Sequence, residues 1–445
     1  MTTKPNEYLE EPARRTAVYR EADVCVIGGG AAGVAAGVAA ARSGARVVLL
    51  ERAGFLGGTL TTVSLGSICG LYAVDPARLV QVVGGLCGEI IERLRAIGGA
   101  HEPVRWLQTA SLPYDLFSMK LVLDELLEQA GVEVLLHSQV VDVQHAHGRV
   151  HAVMFESKQG RMAVRAGQFI DCSGDADVVA RAGGPFEIAL EDLQFPTAMA
   201  RFGDVDTDAL QALTRPELRQ CLERAVEDGM DLPRTAGGVF SERPGLAHLN
   251  ITKVAVDGRS PSPLDVAAMS RAERAGRRQV RDYLQAFRRY VPGFARAYVL
   301  DTGSVLGVRE SRRIVGRHVL TGEQVLGAAR FDDAIACCAW PMEDHAAGRA
   351  TQWIWLEPGA YFQIPLRSLL MAQFDNLSVA GRCASATHAA QASLRVTAQC
   401  FAMGEAAGIA AALALQAGAS LHDVDAQSVR RQLAARGAFL GDTPA

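Results

Sequence analysis

The 445 residues exceed what one hydrophobic core organises and point to about two to three structural units. With 49% hydrophobic and 21% charged residues the composition is that of a globular protein, and a formal charge of -4 makes no electrostatic case for nucleic acid or an anionic membrane as partner. Nine cysteines lie scattered without metal-ligand or C-x-x-C spacing, Cys337 and Cys338 being adjacent inside an apolar run, so reduced thiols and a cytoplasmic location are expected.

In chain order, the twin arginine Arg14-Arg15 is followed by TAVYREAD in place of an apolar stretch, which argues against an export signal. Residues 24–51, VCVIGGGAAGVAAGVAAARSGARVVLLE, then read as strand, glycine turn, helix and strand: one βαβ unit. In its G-x-G-x-x-G, Gly28 permits the tight turn, Gly30 lets backbone approach a pyrophosphate, and Gly33 lets the helix lie close on the strand. Glu51 stands 23 residues after Gly28, where a carboxylate accepts from ribose hydroxyls and repels a 2′-phosphate; NADP is disfavoured here. The uncharged run 24–41 is rich in Gly and Ala where a membrane-spanning helix would need Leu or Ile.

Leu79 to Ile97 and Tyr114 to Gln129 have helical periodicity, the second stopped by Gly131. Short alternating runs follow, VEVLLHSQVVDVQ, RVHAVMFE and RMAVRAGQFIDCSG, a β-meander with turns at HAHG and KQG. His145, His147 and His151 fall on that hairpin without a fourth ligand nearby, so they read as solvated turn residues and no metal site is expected. From Gln194 to about Phe362 strands and helices mix, with helices near 208–227 and 264–290. In the second of these, Arg274, Arg277, Arg278 and Arg281 lie among Glu273 and Asp282 as a solvated helix face. This middle third reads as an inserted domain with its own core. DNLSVAGR then resumes the first fold as a strand, and Ala392 to Gln416 reads as one long Gly/Ala-rich helix. The expected architecture is α/β: a Rossmann-like dinucleotide-binding domain with a β-meander (residues 20–190 and 365–445) and an inserted mixed α+β substrate domain (191–364).

Three features favour FAD over NAD. Leu56-Gly57-Gly58-Thr59 offers a second close backbone approach for a long, extended cofactor. A helix start near Ser393, after NLSVAGRC, would present roughly half a positive charge to an anionic reduced flavin. Only one G-x-G-x-x-G occurs, where a flavin plus a dedicated NAD domain would show two.

Taken together, ADVCVIGGGAAG with VLLE, LGGTLTT with SICGLY, FIDCSGDADVVARAG, GVRESRRIVGRHVLT and NLSVAGRCASATHAAQASLRVTAQCFAMGEAAG resemble the FAD-dependent oxidoreductases of the glutathione-reductase-like superfamily, over roughly residues 22–415. The resemblance implies Gly28, Gly30, Ala31, Ala32 and Gly33 at the pyrophosphate, with Glu51 and Arg52 at the adenosine ribose. It also implies Gly57, Gly58 and Thr59 along the pyrophosphate and ribityl chain, Val141 meeting adenine through its backbone, and Ser173, Gly174 and Asp175 closing the adenine side. Arg382 would lie by the ribityl and phosphates, and the Ser393 and Leu394 amides by the pyrimidine edge. Where relatives often carry Ala-Thr-Gly this chain has Cys172-Ser173-Gly174, which keeps the hydroxyl.

For the chemistry, His388 sits between the flavin-binding strand and the flavin-facing helix, a place for an acid or base. His345 follows Glu343 and Asp344, acidic neighbours that would raise its pKa and fix its orientation. In VRESRR, Arg309 is the best candidate to clamp a carboxylate through two parallel hydrogen bonds, against the alternative of interdomain ion pairs; Arg395 is comparable. Cys69 and Tyr72 are read as packing residues near the flavin, with a redox or tethering Cys69 the lesser alternative. The expected activity is hydride transfer between a small organic substrate, with a carboxylate as one option, and flavin N5, with His388 or His345 handling the proton. The rivals are a flavin monooxygenase reduced by NAD(P)H and a flavin subunit passing electrons to a partner protein. The acceptor stays open among oxygen, a quinone and a carrier protein, and homo-oligomer formation also stays open.

Overall fold

In this computed structural model, residues 9–76, 78–241, 243–345 and 351–441 are described. β1 (Ala17–Ile27), α1 (Ala31–Arg42) and β2 (Val47–Leu50) form the first βαβ unit, with β1 and β2 parallel. α1 is buried from Ala31 through Ala40, because its alanines and glycines let neighbours close on it from both sides. Val24 and Val26 of β1 and the valines and leucines of β2 are buried, and each stabilises the fold by about 1.5–3 kcal/mol.

The helix expected from Leu79 begins later. Leu79–Gln81 is a strand, and α2 runs over Gly85–Ala96, starting where Gly85 takes φ +59 and the Glu405 carboxylate accepts from Leu86 N at 2.9 Å. α3 (Leu116–Gln129) is capped by Asp115, whose side chain accepts from Ser118 N. β3 (Glu133–Leu135) joins β2 in parallel. The meander follows as β4 (Gln139–Ala146), β5 (Arg149–Ser157) and β6 (Gly160–Asp171), paired antiparallel. The twelve residues of β6 also pair in parallel with β1, which is how meander and βαβ unit become one sheet.

A second hydrophobic core forms around β7 (Ala200–Gly203), α4 (Arg215–Glu227), β8 (Gly238–Phe240), β9 (Leu246–Asn250), α5 (Val266–Tyr290) and β10 (Tyr298–Thr302). Its four-stranded antiparallel sheet has the order β8-β9-β7-β10. α5 buries Ala268, Ala272, Gly276, Val280, Tyr283 and Phe287, spaced three or four apart as one helical stripe. The sequence reading grouped β11 (Ala334–Cys338), β12 (Met342–Asp344) and β13 (Phe362–Pro365) with this middle third, but Ile335, Trp340, Met342 and Phe362 pack into the core that holds α1.

β14 (Leu377–Val379) pairs in parallel with Phe169–Asp171 of β6 and completes a seven-stranded sheet ordered β3-β2-β1-β6-β5-β4, β14 also on β6. The single helix expected over 392–416 is two, α6 (His388–Leu394) and α7 (Thr397–Ala417). Val396 is extended between them at φ -71, ψ 159, and the Thr397 hydroxyl accepts from Cys69 N at 3.1 Å. No Gly or Pro marks that break. α7 is long and apolar enough to cross a membrane, but 78% of its apolar window is buried inside the fold. It touches α1 closely: a Cβ on Gly404 would stand 2.0 Å from Ala32 O.

Candidate active site

One cleft with about 1800 Å³ of open space, mouth included, runs from the carboxyl ends of β1 and β2 to the second core. Its outer half is walled by backbone. Gly28 takes φ +96 and lies so close to the end of β6 that a Cβ would meet Cys172 O at 2.5 Å; a Cβ on Gly33 would strike Gly28 O at 1.7 Å. A Cβ on Gly58 would come within 2.9 Å of Gly30 Cα, whereas one on Gly30 would meet nothing nearer than 3.8 Å. Two glycine turns thus face each other across a floor without side chains, at the amino end of α1 where Gly30 is the cap. Such a floor suits a pyrophosphate.

Glu51, 8% exposed, accepts from Gly29 N at 2.6 Å and Ala53 N at 2.7 Å, so it braces the glycine turn as well as facing the cleft. A carboxylate has about four lone-pair sites, which leaves capacity for a ribose. Arg52, Gly57, Thr59, Ser173, Gly174 and Asp175 also line the cleft, as does Arg382, ion-paired to Asp175 at 2.7 Å. Burial alone would raise the Asp175 pKa, but Arg382 and Ser311 hold it below the usual carboxylate range.

Four expected cofactor contacts lie elsewhere. Gly33 does not line the cleft and packs beneath the turn against Gly28 and Cys172. Val141 does not line the cleft, and its carbonyl accepts from Arg181 Nε at 3.0 Å; Gln139 and Val140, earlier on β4, take the wall. Ser393 and Leu394 are buried at the end of α6, where Ser393 Oγ donates to Trp340 O at 2.5 Å. The amino end that opens on the cleft is that of α7, through Val396, Thr397 and Cys400.

The inner half is walled by side chains from distant segments: Arg309, Trp340, Glu343, His345 and Arg395, with Thr197, Met199 and Asn250. His345, 5% exposed, lies 2.9 Å from Glu343 Oε1 through Nε2 and 3.2 Å from Thr351 Oγ1 through Nδ1. The acidic neighbours were expected to raise its pKa. Instead burial, then the Arg309 charge, pushes it down to about 3, outweighing Glu343, so the ring is neutral. Burial opposes ionisation of Glu343, yet His345, Arg395 and Arg309 hold its carboxyl low, and Trp340 Nε1 donates to it at 3.1 Å.

His388 does not reach the cleft. Its Nδ1 lies 2.9 Å from the buried Glu310 carboxylate and its Nε2 3.7 Å from Asp344, and the two acids push it up to about 9. Glu310 also pairs with Arg313, and Arg312 with Asp177, so of the charged residues in VRESRR only Arg309 lines the cleft. Arg309 donates to Phe195 O at 2.6 Å and Asn250 Oδ1 at 3.4 Å; burial and then Arg395 push it down to about 9. Burial likewise lowers Arg395, which donates to Gln194 Oε1 at 3.1 Å and whose Nε has no partner. Among the described residues neither arginine forms an ion pair with a carboxylate. Cys69 lines the cleft, and burial pushes its thiol up to about 12, which disfavours the thiolate.

The profile of the FAD dependent oxidoreductase family matches residues 23–433. The chain belongs to this family. It is an FAD-dependent oxidoreductase, and its cofactor is FAD. Among solved structures, it is similar to a geranylgeranyl bacteriochlorophyll reductase-like protein from Thermoplasma acidophilum at 14% identity and TM-score 0.49, over 94% of this chain and 84% of that one. It is also similar to p-nitrophenol 4-monooxygenase PnpA from Pseudomonas putida DLL-E4, at 14% and 0.45, over 93% and 85%. The flavin-dependent brominase Bmp2 aligns at 13% and 0.45, over 93% and 83%. No curated protein matches the sequence.

In the oxidoreductase, then, Gly30, Gly57, Gly58 and the first amides of α1 would hold the pyrophosphate, Glu51 and Arg52 the adenosine, and the amino end of α7 the flavin ring. Glu343, Trp340, Asn250 and Thr397 escaped the sequence reading as site residues. Glu343 was legible only as a neighbour of His345; for Asn250 and Thr397 no local signal existed, because each reaches the cleft through long-range packing.

Proposed function

We propose that the oxidoreductase oxidises a small carboxylate-bearing substrate in a dehydrogenase-type reaction. FAD, when bound, supplies the hydride acceptor. The observation that carries this reading is one wall bearing two guanidiniums without carboxylate partners, Arg309 and Arg395, beside the Glu343 and His345 pair. A guanidinium has five N–H donors in a planar fork, and Arg309 spends two on Phe195 and Asn250. The rest are available to a substrate carboxylate.

Glu343 accepts from Nε2–H of His345, which fixes the tautomer and leaves Nδ1 as the proton acceptor, approached by the Thr351 hydroxyl. In the free site the Arg309 charge is the largest electrostatic influence depressing His345. A carboxylate seated on Arg309 cancels that charge, so the imidazole gains basicity when substrate is bound. Glu343 then stabilises the imidazolium that forms, while Trp340, Met199 and Val308 exclude water from the transfer. Residues 191–364 serve as the substrate-binding part, contributing Thr197, Asn250 and Arg309, and the glutathione-reductase-like superfamily is the branch that the motif order fits. The free, mostly buried cysteines suit a cytoplasmic setting.

The test is anaerobic flavin bleaching of the FAD-loaded protein by amino acids, hydroxy acids, amines and N-heterocycles, each acid paired with its amide. Bleaching by an acid, and weaker bleaching by its amide, is expected. Fast reduction by NAD(P)H with no organic substrate, followed by oxygen activation, would replace the dehydrogenase reading with a monooxygenase.

A further inference from the structure

Helix α5 carries seven arginines against two acids, Glu273 and Asp282, in a chain whose formal charge is -4. Arg271, Arg274, Arg277, Arg278 and Arg281 are all exposed along one stretch of it. Arg271, Arg277 and Arg281 meet Asp257, Glu273 and Asp282, but Arg274 and Arg278 have no ion-pair partner among the described residues. The sequence alone favours a solvated face. What the fold adds is the position of this helix against the cleft.

At Gly276 the helix closes on the loop that walls the inner half: a Cβ there would stand 2.8 Å from Leu306 Cδ2. Leu306 lines the cleft, and its amide is held by Glu273 Oε1 at 2.8 Å. On the outside, Ser270, Glu273, Arg274, Arg277, Ser304 and Val305 form a surface groove. Val305 is a wall of both groove and cleft. Arg274 and Arg277 therefore stand across the single Val305 wall from the cleft, with Arg271, Arg278 and Arg281 on the same helix.

We propose that this face docks an acidic one-electron carrier protein, which takes the electrons from the reduced enzyme across the Val305 and Leu306 wall. Positive charge on this scale steers an acidic partner and sets its orientation. Oxidation of one substrate molecule releases two electrons and two protons; two carrier molecules take one electron each, and the protons leave to solvent. The inference rests on the dehydrogenase reading only for the direction of electron flow.

The experiment uses the FAD-loaded protein reduced by dithionite, so that no substrate is involved, and the acidic copper protein plastocyanin as acceptor probe. Basic cytochrome c and neutral benzoquinone serve as comparisons. Plastocyanin is expected to reoxidise the enzyme at least tenfold faster than cytochrome c, with a rate that falls steeply as salt rises. Arg274→Glu with Arg278→Glu, both exposed, should abolish that preference, leave the benzoquinone rate unchanged, and remove plastocyanin binding to the oxidised protein in sedimentation. A plastocyanin rate insensitive to salt or to the charge reversal overturns the proposal. So does tighter binding of duplex DNA or of anionic lipid vesicles to this face than of plastocyanin. Failure of the substrate panel with a positive result here would sink the dehydrogenase reading alone.

Discussion

The two halves of the cleft are built by opposite means. The outer half is made largely of backbone, glycine turns and helix amino ends, most of it within a few residues of β1, β2 and β6, with Glu51 and the pair of Asp175 and Arg382 beside it. The inner half is made of long side chains brought from residues 197 to 395, whose charges depend on one another. Tight local geometry serves a cofactor whose shape does not vary. A charged wall whose protonation responds to its occupant serves chemistry on a substrate. Two histidines mark the same contrast: burial and the Arg309 charge push the His345 pKa down, while Asp344 and Glu310 push that of His388 up.

The largest effect is expected from Gly30→Val. The added side chain enters the open floor and meets little protein, so the apoprotein should melt within a few degrees of the parent. FAD affinity should fall by about 100-fold, equivalent to about 2.8 kcal/mol. A flavin titration followed by absorbance checks it, and an unchanged affinity would mean that the pyrophosphate lies elsewhere.

Next in size, Arg309→Met should leave FAD uptake intact and raise KM for a carboxylate substrate by about 30- to 100-fold, the loss of a charged partner worth about 2–2.8 kcal/mol. The same change removes the charge that depresses His345. Its pKa should rise, visible as an acidic limb in the pH profile of kcat/KM that moves to higher pH. A KM shift equal for an acid and its amide would break the link between arginine and carboxylate.

The smallest effect is expected from His388→Asn, which removes a charged partner from buried Glu310. The ring is partly exposed, so screening discounts the loss to about 2 kcal/mol at neutral pH, between the surface and buried limits. Because the folded pKa is raised, to about 9 from 6.5, the stabilisation is complete below pH 6.5 and disappears as pH climbs through 9. Urea midpoints of parent and variant should therefore differ at pH 6 and converge by pH 10.

Legibility in the sequence divides along the same line. The βαβ unit, the meander and the family were readable from Gly28, Gly33, Glu51 and the alternating strands, because those signals are local and periodic. The division of one expected helix at Val396 was not, since its cause is a hydroxyl contact with Cys69 some 330 residues away in sequence. Two residue types were assigned roles without knowing their neighbours. His388 looked accessible because Glu310 and Asp344 are distant in sequence from it, and the acids beside His345 looked decisive because Arg309 was out of view.

The measurement that bears most directly on the account is the anaerobic rate of flavin reduction by a bleaching substrate in FAD-loaded His345→Asn and His388→Asn proteins at pH 7. Loss of a positioned proton acceptor at His345 should slow reduction by about 100- to 10,000-fold, with the flavin spectrum intact. His388→Asn should stay within a few-fold of the parent. The reverse order, with His388 essential and His345 dispensable, would contradict the assignment of the chemistry to the inner wall of the cleft.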